Sequence, residues 1–164
     1  MLIDSPDPKK ITIYTDGGCQ GNPGPGGYGV VMLYNEKRKE LSAGYRLTTN
    51  NRMEIMAAIA ALEVLRYPCE VTIYTDSKYL SDSIMLGWAK SWRRNGWKRS
   101  NKEPAINPDL WERLLNLCET HSVKFSWVKG HAGNPENERC DELSVAASKG
   151  GDLAIDEGYE KSRK

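Results

Sequence analysis

Asp16 and Asp76 each close a run of the same composition, and no other pairing in the chain points so directly to chemistry. Ile11-Thr12-Ile13-Tyr14-Thr15-Asp16 returns as Val71-Thr72-Ile73-Tyr74-Thr75-Asp76. Both runs alternate with a period of two and are rich in β-branched and aromatic residues, as strands are. Paired in parallel and in register, such strands would place their terminal carboxylates about 5 Å apart. Bare carboxylates that close repel, and one keeps its proton unless a divalent cation relieves the conflict. Open α/β sheets bind ligands at the carboxyl ends of their strands, so the pair reads as a metal site. The bland reading is that each Asp only starts a turn, a common duty for that residue. The match between the two runs favours the metal.

Three more titratable residues are distinctively placed, and one of them could join this site. Glu54 falls in the first turn of a helical stretch. It could complete a capping box with Asn51 as cap, or project over the sheet edge as a third ligand. Local sequence leaves both readings open. His131 is at the tip of the loop Gly130-His131-Ala132-Gly133, and Asp141 lies at the edge of a helix's buried stripe.

A second feature is electrostatic. The segment from Trp88 to Lys102 holds Lys90, Arg93, Arg94, Lys98, Arg99 and Lys102 and no acid, although the chain's net charge is only +1. A basic island on an acidic body attracts a polyanion locally. Basic residues interleaved with tryptophan suit a nucleic-acid backbone, through charge and stacking. Trp88 and Trp92 share a helical face, and Trp88 in particular is expected to hold the segment on the body.

The elements that must position these residues follow in order. Residues 1–10 read as a loose leader. After the strand at 11–15, Cys19 to Gly27 is too rich in Gly and Pro for regular structure, but it offers closely approachable backbone. Strands are expected at 28–34 and 40–47, joined by a polar turn and antiparallel to their neighbours. A helix over 50–65 forms the crossover that makes strand 71–75 parallel to strand 11–15. Ser77 caps a short helix over 78–86, another helix starts at Asn107-Pro108-Asp109, and 123–128 is the last strand. Asn134-Pro135 opens a closing helix with Cys140, Leu143 and Ala147 buried. The tail at 150–164 reads as polar and peripheral. The fold class is α/β: a mixed five-stranded sheet, three strands antiparallel and two parallel, with helices on both faces.

The length of 164 residues suits a single domain, over 11–149. No apolar run approaches a membrane span, so no membrane association is expected. The four cysteines are widely spaced, without a C-x-x-C pair, and read as reduced thiols of a cytoplasmic protein.

The motifs Thr15-Asp16-Gly17-Gly18-Cys19-Gln20-Gly21-Asn22-Pro23-Gly24-Pro25-Gly26-Gly27, Thr48-Thr49-Asn50-Asn51-Arg52-Met53-Glu54, Thr75-Asp76-Ser77 and Trp127-Val128-Lys129-Gly130-His131-Ala132-Gly133, followed by Cys140-Asp141-Glu142-Leu143, together resemble bacterial type-1 ribonuclease H. The resemblance covers roughly residues 9–148, with the motifs in the same order. It implies an endonuclease that cuts the RNA strand of an RNA–DNA hybrid with Mg²⁺ or Mn²⁺, leaving 5′-phosphate and 3′-hydroxyl ends. It also implies an acidic set of Asp16, Glu54, Asp76 and Asp141, which turns Glu54 towards metal binding. Two cations about 4 Å apart would be held, with Asp16 bridging, Glu54 and Asp76 on the attacking side and Asp141 on the leaving side. His131 matches the family's loop histidine, with a role in proton shuttling or product release.

Substrate contacts are implied in the same way. Cys19, Asn22, Asn50 and Asn51 match positions near the ribose 2′-hydroxyl, the group that separates RNA from DNA. The DNA strand would lie against Trp88, Trp92, Arg93, Arg94, Lys98 and Arg99, with a phosphate pocket at Thr49 and Asn107. One departure stands out. Relatives often place an arginine two residues before the threonine, where this chain has Leu47; Arg46 is one step off, on the opposite side of a strand. The competing function is a catalytically silent hybrid-binding module, but a pure binder gains nothing from acids clustered near phosphate. A monomer is expected.

Overall fold

The computed structural model describes residues 9–130 and 132–163. The strands are β1 (Lys9–Cys19), β2 (Gly24–Tyr34), β3 (Lys37–Thr48), β4 (Cys69–Thr75) and β5 (Ser122–Trp127). The helices are α1 (Asn50–Glu63), α2 (Lys78–Met85), α3 (Trp88–Arg94), α4 (Pro108–Thr120), α5 (Pro135–Ser148) and α6 (Glu157–Ser162). The sheet order is β3-β2-β1-β4-β5. β1, β2 and β3 are antiparallel, and β4 and β5 extend the sheet in parallel with β1.

Alternation along the strands sorts their residues between two unequal faces. Ile11, Ile13, Val30, Val71, Ile73 and Phe125 point into the main core, where α1 and α4 bring Ile55, Ile59, Leu62, Trp111, Leu114 and Leu115. The other face of β2 and β3 is floored by Gly27, Gly29 and Gly44, so close to α5 that a Cβ on any of them would meet that helix. This is why α5 buries Asn137, Cys140, Ser144 and Ser148, while Leu143 and Ala147 are only half-buried. A glycine floor accepts small side chains and a close backbone. The stripe expected from hydrophobicity alone therefore lies about one residue to the side.

Four boundaries differ from the sequence expectation. β1 begins at Lys9, because Lys9 and Lys10 pair with Cys69 and Glu70; residues 1–8 of the expected leader lie outside the described residues. Much of the Gly-Pro segment is strand, with Gly18 and Cys19 paired to Gly27 and Gly26. Part of the basic island forms α3. The tail is anchored: Ala154 bridges to Tyr45 at the outer edge of β3, Asp156 is buried, and α6 follows. Among the described residues no helix is long and apolar enough to cross a membrane.

Candidate active site

β1 and β4 pair in register up to Thr15 and Thr75, so Asp16, still paired with Gly29 of β2, lies beside Asp76, the first residue after β4. α1 delivers the third acid. Its cap is Thr49, whose hydroxyl accepts from the Arg52 N–H at 3.2 Å, rather than Asn51. Its first turn rests on Gly17, where a Cβ would collide with the Met53 backbone. That contact needs glycine, and it sets Glu54 beside Asp16. One carboxylate oxygen from each of Asp16, Glu54 and Asp76 lies within 4.8 Å of the others. The capping-box reading of Glu54 is thus excluded by where it points.

Asp141, on α5, lines the same cavity of about 380 Å³, together with Gly18, Cys19 and Asn50. The indole Nε1–H of Trp127 donates to the Asp76 carbonyl at 3.1 Å. Gly130 passes directly over the Asp76 carboxylate, with room for no larger residue: a Cβ there would sit 2.6 Å from Oδ2. His131 lies outside the described residues.

Asp16 and Glu54 are buried among carboxylates that repel them. Burial, then the charges of Asp76 and Asp141, push the Asp16 carboxyl from 3.8 up to about 8, against a lowering bond from the Gly17 N–H. Burial, then Asp16 and Asp76, hold Glu54 well above the usual carboxylate range. Among the described residues no cation offsets either shift, and Glu54 Oε1 is buried without a hydrogen-bond partner. An orphaned buried oxygen among oxygen-only donors fits a hard divalent cation.

The residues matched to substrate contacts gather around this cluster. The Cys19 N–H donates to Asn50 Oδ1 at 2.8 Å, and the Asn50 N–H donates to Asn22 Oδ1 at 3.0 Å. A second cavity of about 780 Å³ is lined by Asn22, Thr49, Asn51 and Asn107.

The basic island divides. Trp92 packs edge-on against Trp111, with ring centroids 6.1 Å apart, and Ala89 is buried, so these two anchor α3. Trp88, expected to be the anchor, is 42 % exposed, because the short helix turns it outward. Arg93 pairs with Glu119 at 2.7 Å and Arg99 with Glu103 at 2.8 Å. Arg94 and Lys98 are exposed, in no ion pair among the described residues. Arg46 is engaged bidentately by Glu160 of α6, at 2.8 and 2.9 Å, so it does not stand in for the missing arginine. Sequence reasoning missed Arg52, Asp109 and Asp156, whose carboxylates and guanidinium meet behind the second cavity.

Sheet, crossover helix and carboxylate cluster together define an α/β protein of the ribonuclease H-like fold, with Asp16 and Asp76 on adjacent parallel strands and Glu54 and Asp141 brought in by helices. The family model for RNase H matches residues 8–149. The chain is 68% identical over 148 residues to a Ribonuclease H of Desulforamulus reducens, covering 90% of this chain and 93% of that one. It is 61% identical over 155 residues to Ribonuclease HI of a Synechocystis species, covering 94% and 97%. The crystal structure of LC9-RNase H1 matches with a TM-score of 0.79 at 34% identity, covering 98% of this chain and 82% of that chain. LC11-RNase H1, solved in complex with RNA/DNA hybrid, matches with a TM-score of 0.65 at 31% identity, covering 84% and 95%. The chain belongs to the RNase H family, as a bacterial type-1 member.

Proposed function

We propose that this protein is an endonuclease that hydrolyses the RNA strand of RNA–DNA hybrids, acting as a cytoplasmic monomer, with Asp16, Glu54, Asp76 and Asp141 as its catalytic acids. The observation that carries the reading is the buried acidic cluster with its orphaned Glu54 oxygen, in a chain of this family. Two Mg²⁺ ions, with Mn²⁺ as a substitute, would supply Lewis-acid stabilisation of the phosphate's developing charge.

The chain's own residues do the remaining work. Asp16 is central, within reach of both Asp76 and Asp141, and would help to hold both ions. Glu54 and Asp76 would hold metal on the side of the attacking water, and Asp141 on the side of the departing ribose 3′ oxygen. As the P–O3′ bond breaks, the attacking water loses a proton and the 3′ oxygen gains one, giving 5′-phosphate and 3′-hydroxyl ends. His131 is assigned proton shuttling or product release. Gly130, immediately before it in sequence, lies against Asp76, and this supports the assignment. Cys19, Asn22, Asn50 and Asn51 would read the ribose of the cut strand, which a 2′-hydroxyl marks as RNA. Trp88, Trp92, Arg94 and Lys98 would lie along the DNA strand, with Arg93 and Arg99 contributing less because acids already engage them.

Incubation with an end-labelled hybrid, with Mg²⁺ and then with chelator, tests the reading. Cutting of the RNA strand alone, and only with metal, is expected. Tight hybrid binding without cutting would leave the silent module as the function.

A further inference from the structure

The strand to be cut must approach the acids, yet the residues that would read its ribose carry no positive charge. Cys19, Asn22, Asn50 and Asn51 are neutral, and the carboxylates of Asp16, Glu54 and Asp76 repel a phosphate. The other flank of Asp76 is different. β5 is the edge of the sheet and follows β4 to its end: Trp127 pairs with Thr75, and the Val128 N–H donates to the Thr75 carbonyl at 2.8 Å. Trp127 is 49% exposed, but it is not loose, because its Nε1–H donates to the Asp76 carbonyl at 3.1 Å. An indole held by its polar edge presents its apolar face at a fixed place.

Two cations accompany that ring. Lys78 follows Asp76 by two residues, and Lys129 follows Trp127 by two. Both are exposed, and neither is in an ion pair among the described residues. Lys78 is also poorly placed for stability. It is the first residue of α2, whose first turn holds no acid, so its charge sits at the positive end of the helix dipole. A cation that its own helix disfavours gains from a negative partner outside the chain. A tryptophan accompanied by lysines suits a nucleic-acid backbone. Paired bases in a hybrid are stacked on one another, so the ring can meet only the sugar edge of the strand.

We propose that Trp127, Lys78 and Lys129 form a contact surface for the RNA strand beside Asp76, in which the indole packs against a sugar and the two ammonium groups neutralise neighbouring phosphates. The surface rests on the hybrid-nuclease reading above, and it adds positive charge where the acids would otherwise repel the strand to be cut. It is distinct from the basic island of Trp88 to Lys102, which is assigned to the DNA strand.

The test uses the full chain and a labelled hybrid, with binding measured by anisotropy in chelator at several salt concentrations. Lys78→Gln with Lys129→Gln should lower affinity and make the log–log salt slope shallower by up to about 1.8, on figures for B-DNA. Cleavage at saturating hybrid should persist in this double variant while KM rises. Neutral methylphosphonate linkages in the RNA strand should weaken wild-type binding and cost the double variant less; in the DNA strand they should weaken both proteins alike. Trp127→Leu should weaken binding about fivefold, whereas Trp127→Phe, which keeps a ring but no N–H, should bind within about twofold of wild type. Thermal melts identify any variant that fails to fold, and the exposed lysines carry the test without the tryptophan. Wild-type affinity and slope in the double lysine variant would overturn the proposal. If the wild type binds hybrid but does not cut it with Mg²⁺, the nuclease reading falls and this one stands. If it cuts while the double lysine variant binds normally, only this one falls.

Discussion

Two groups of buried charge meet on the first two turns of α1, and they are finished in opposite ways. At Arg52 every donor has an acceptor, and both carboxylates are hydrogen-bonded by the same guanidinium. Two residues further on, Glu54 enters a cluster with Asp16 and Asp76 in which three carboxyl groups crowd together, one oxygen is orphaned and, among the described residues, no cation pairs with them. A buried charge that is fully hydrogen-bonded maintains geometry. One left unmatched in a folded protein marks where an outside partner is needed. The helix thus places a finished cluster and an unfinished one a half-turn apart, and the finished one holds the helix in place for the other.

The largest contrast should appear in activity. Asp16→Asn, Glu54→Gln or Asp76→Asn should each lower Mg²⁺-dependent cleavage by about 10³-fold or more, equivalent to about 4 kcal/mol. Single-turnover assays with a hybrid substrate would measure this, and folding should persist. The finished cluster should respond in stability instead. Arg52→Met strands the buried Asp156, Asp109 being open to solvent, and should cost about 3 kcal/mol in urea unfolding. If Arg52→Met were neutral in stability, the distinction between the two clusters would fail.

Their pH responses should also oppose each other. In the metal-free protein, the folded state keeps Asp16's proton between pH 3.8 and about 8, where the unfolded chain releases it. That contribution is therefore lost as pH rises through this window. Asp109 runs the other way. Burial raises its pKa but Arg52 more than reverses this, so its contribution is present above the ordinary carboxylate range and lost as pH falls. Asp16→Asn should therefore stabilise the metal-free protein near neutral pH, by on the order of 2 kcal/mol, and move its stability optimum to higher pH. Thermal melts in chelator from pH 4 to 9 would show it.

The smallest effect separates the halves of the basic island. Arg94→Gln with Lys98→Gln should flatten the salt dependence of hybrid binding by up to about 1.8, and Arg93→Gln with Arg99→Gln by much less. Arg93 and Arg99 already face Glu119 and Glu103. Equal effects would mean that those ion pairs open on the hybrid.

Much of this architecture was legible because it is local. The period-two echo gave β1 and β4 and hence the Asp16–Asp76 pair, and Ser77 and Asn134 cap α2 and α5 as their sequences imply. The cap of α1 was ambiguous because Thr49, Asn50 and Asn51 are three consecutive residues able to cap. The glycines near residue 27 look like loop by propensity and are strand by packing, since α5 requires bare backbone beneath it. Trp88 and Trp92 are alike in sequence, and only Trp111 on α4 decides which is buried. Arg52 was not legible at all: its partners lie 57 and 104 positions away, and no periodicity connects them.

Calorimetric titration of Mg²⁺ into the metal-free protein, in buffers of differing ionisation enthalpy, tests the unfinished cluster directly. Binding a cation must displace the proton that burial and repulsion keep on the acids. Wild type should release protons on binding at pH 7, with the release fading above pH 8, and Asp16→Asn should release fewer and bind more weakly. Binding of equal strength in both proteins, without proton release, would contradict the placement of the metal at Asp16, Glu54 and Asp76.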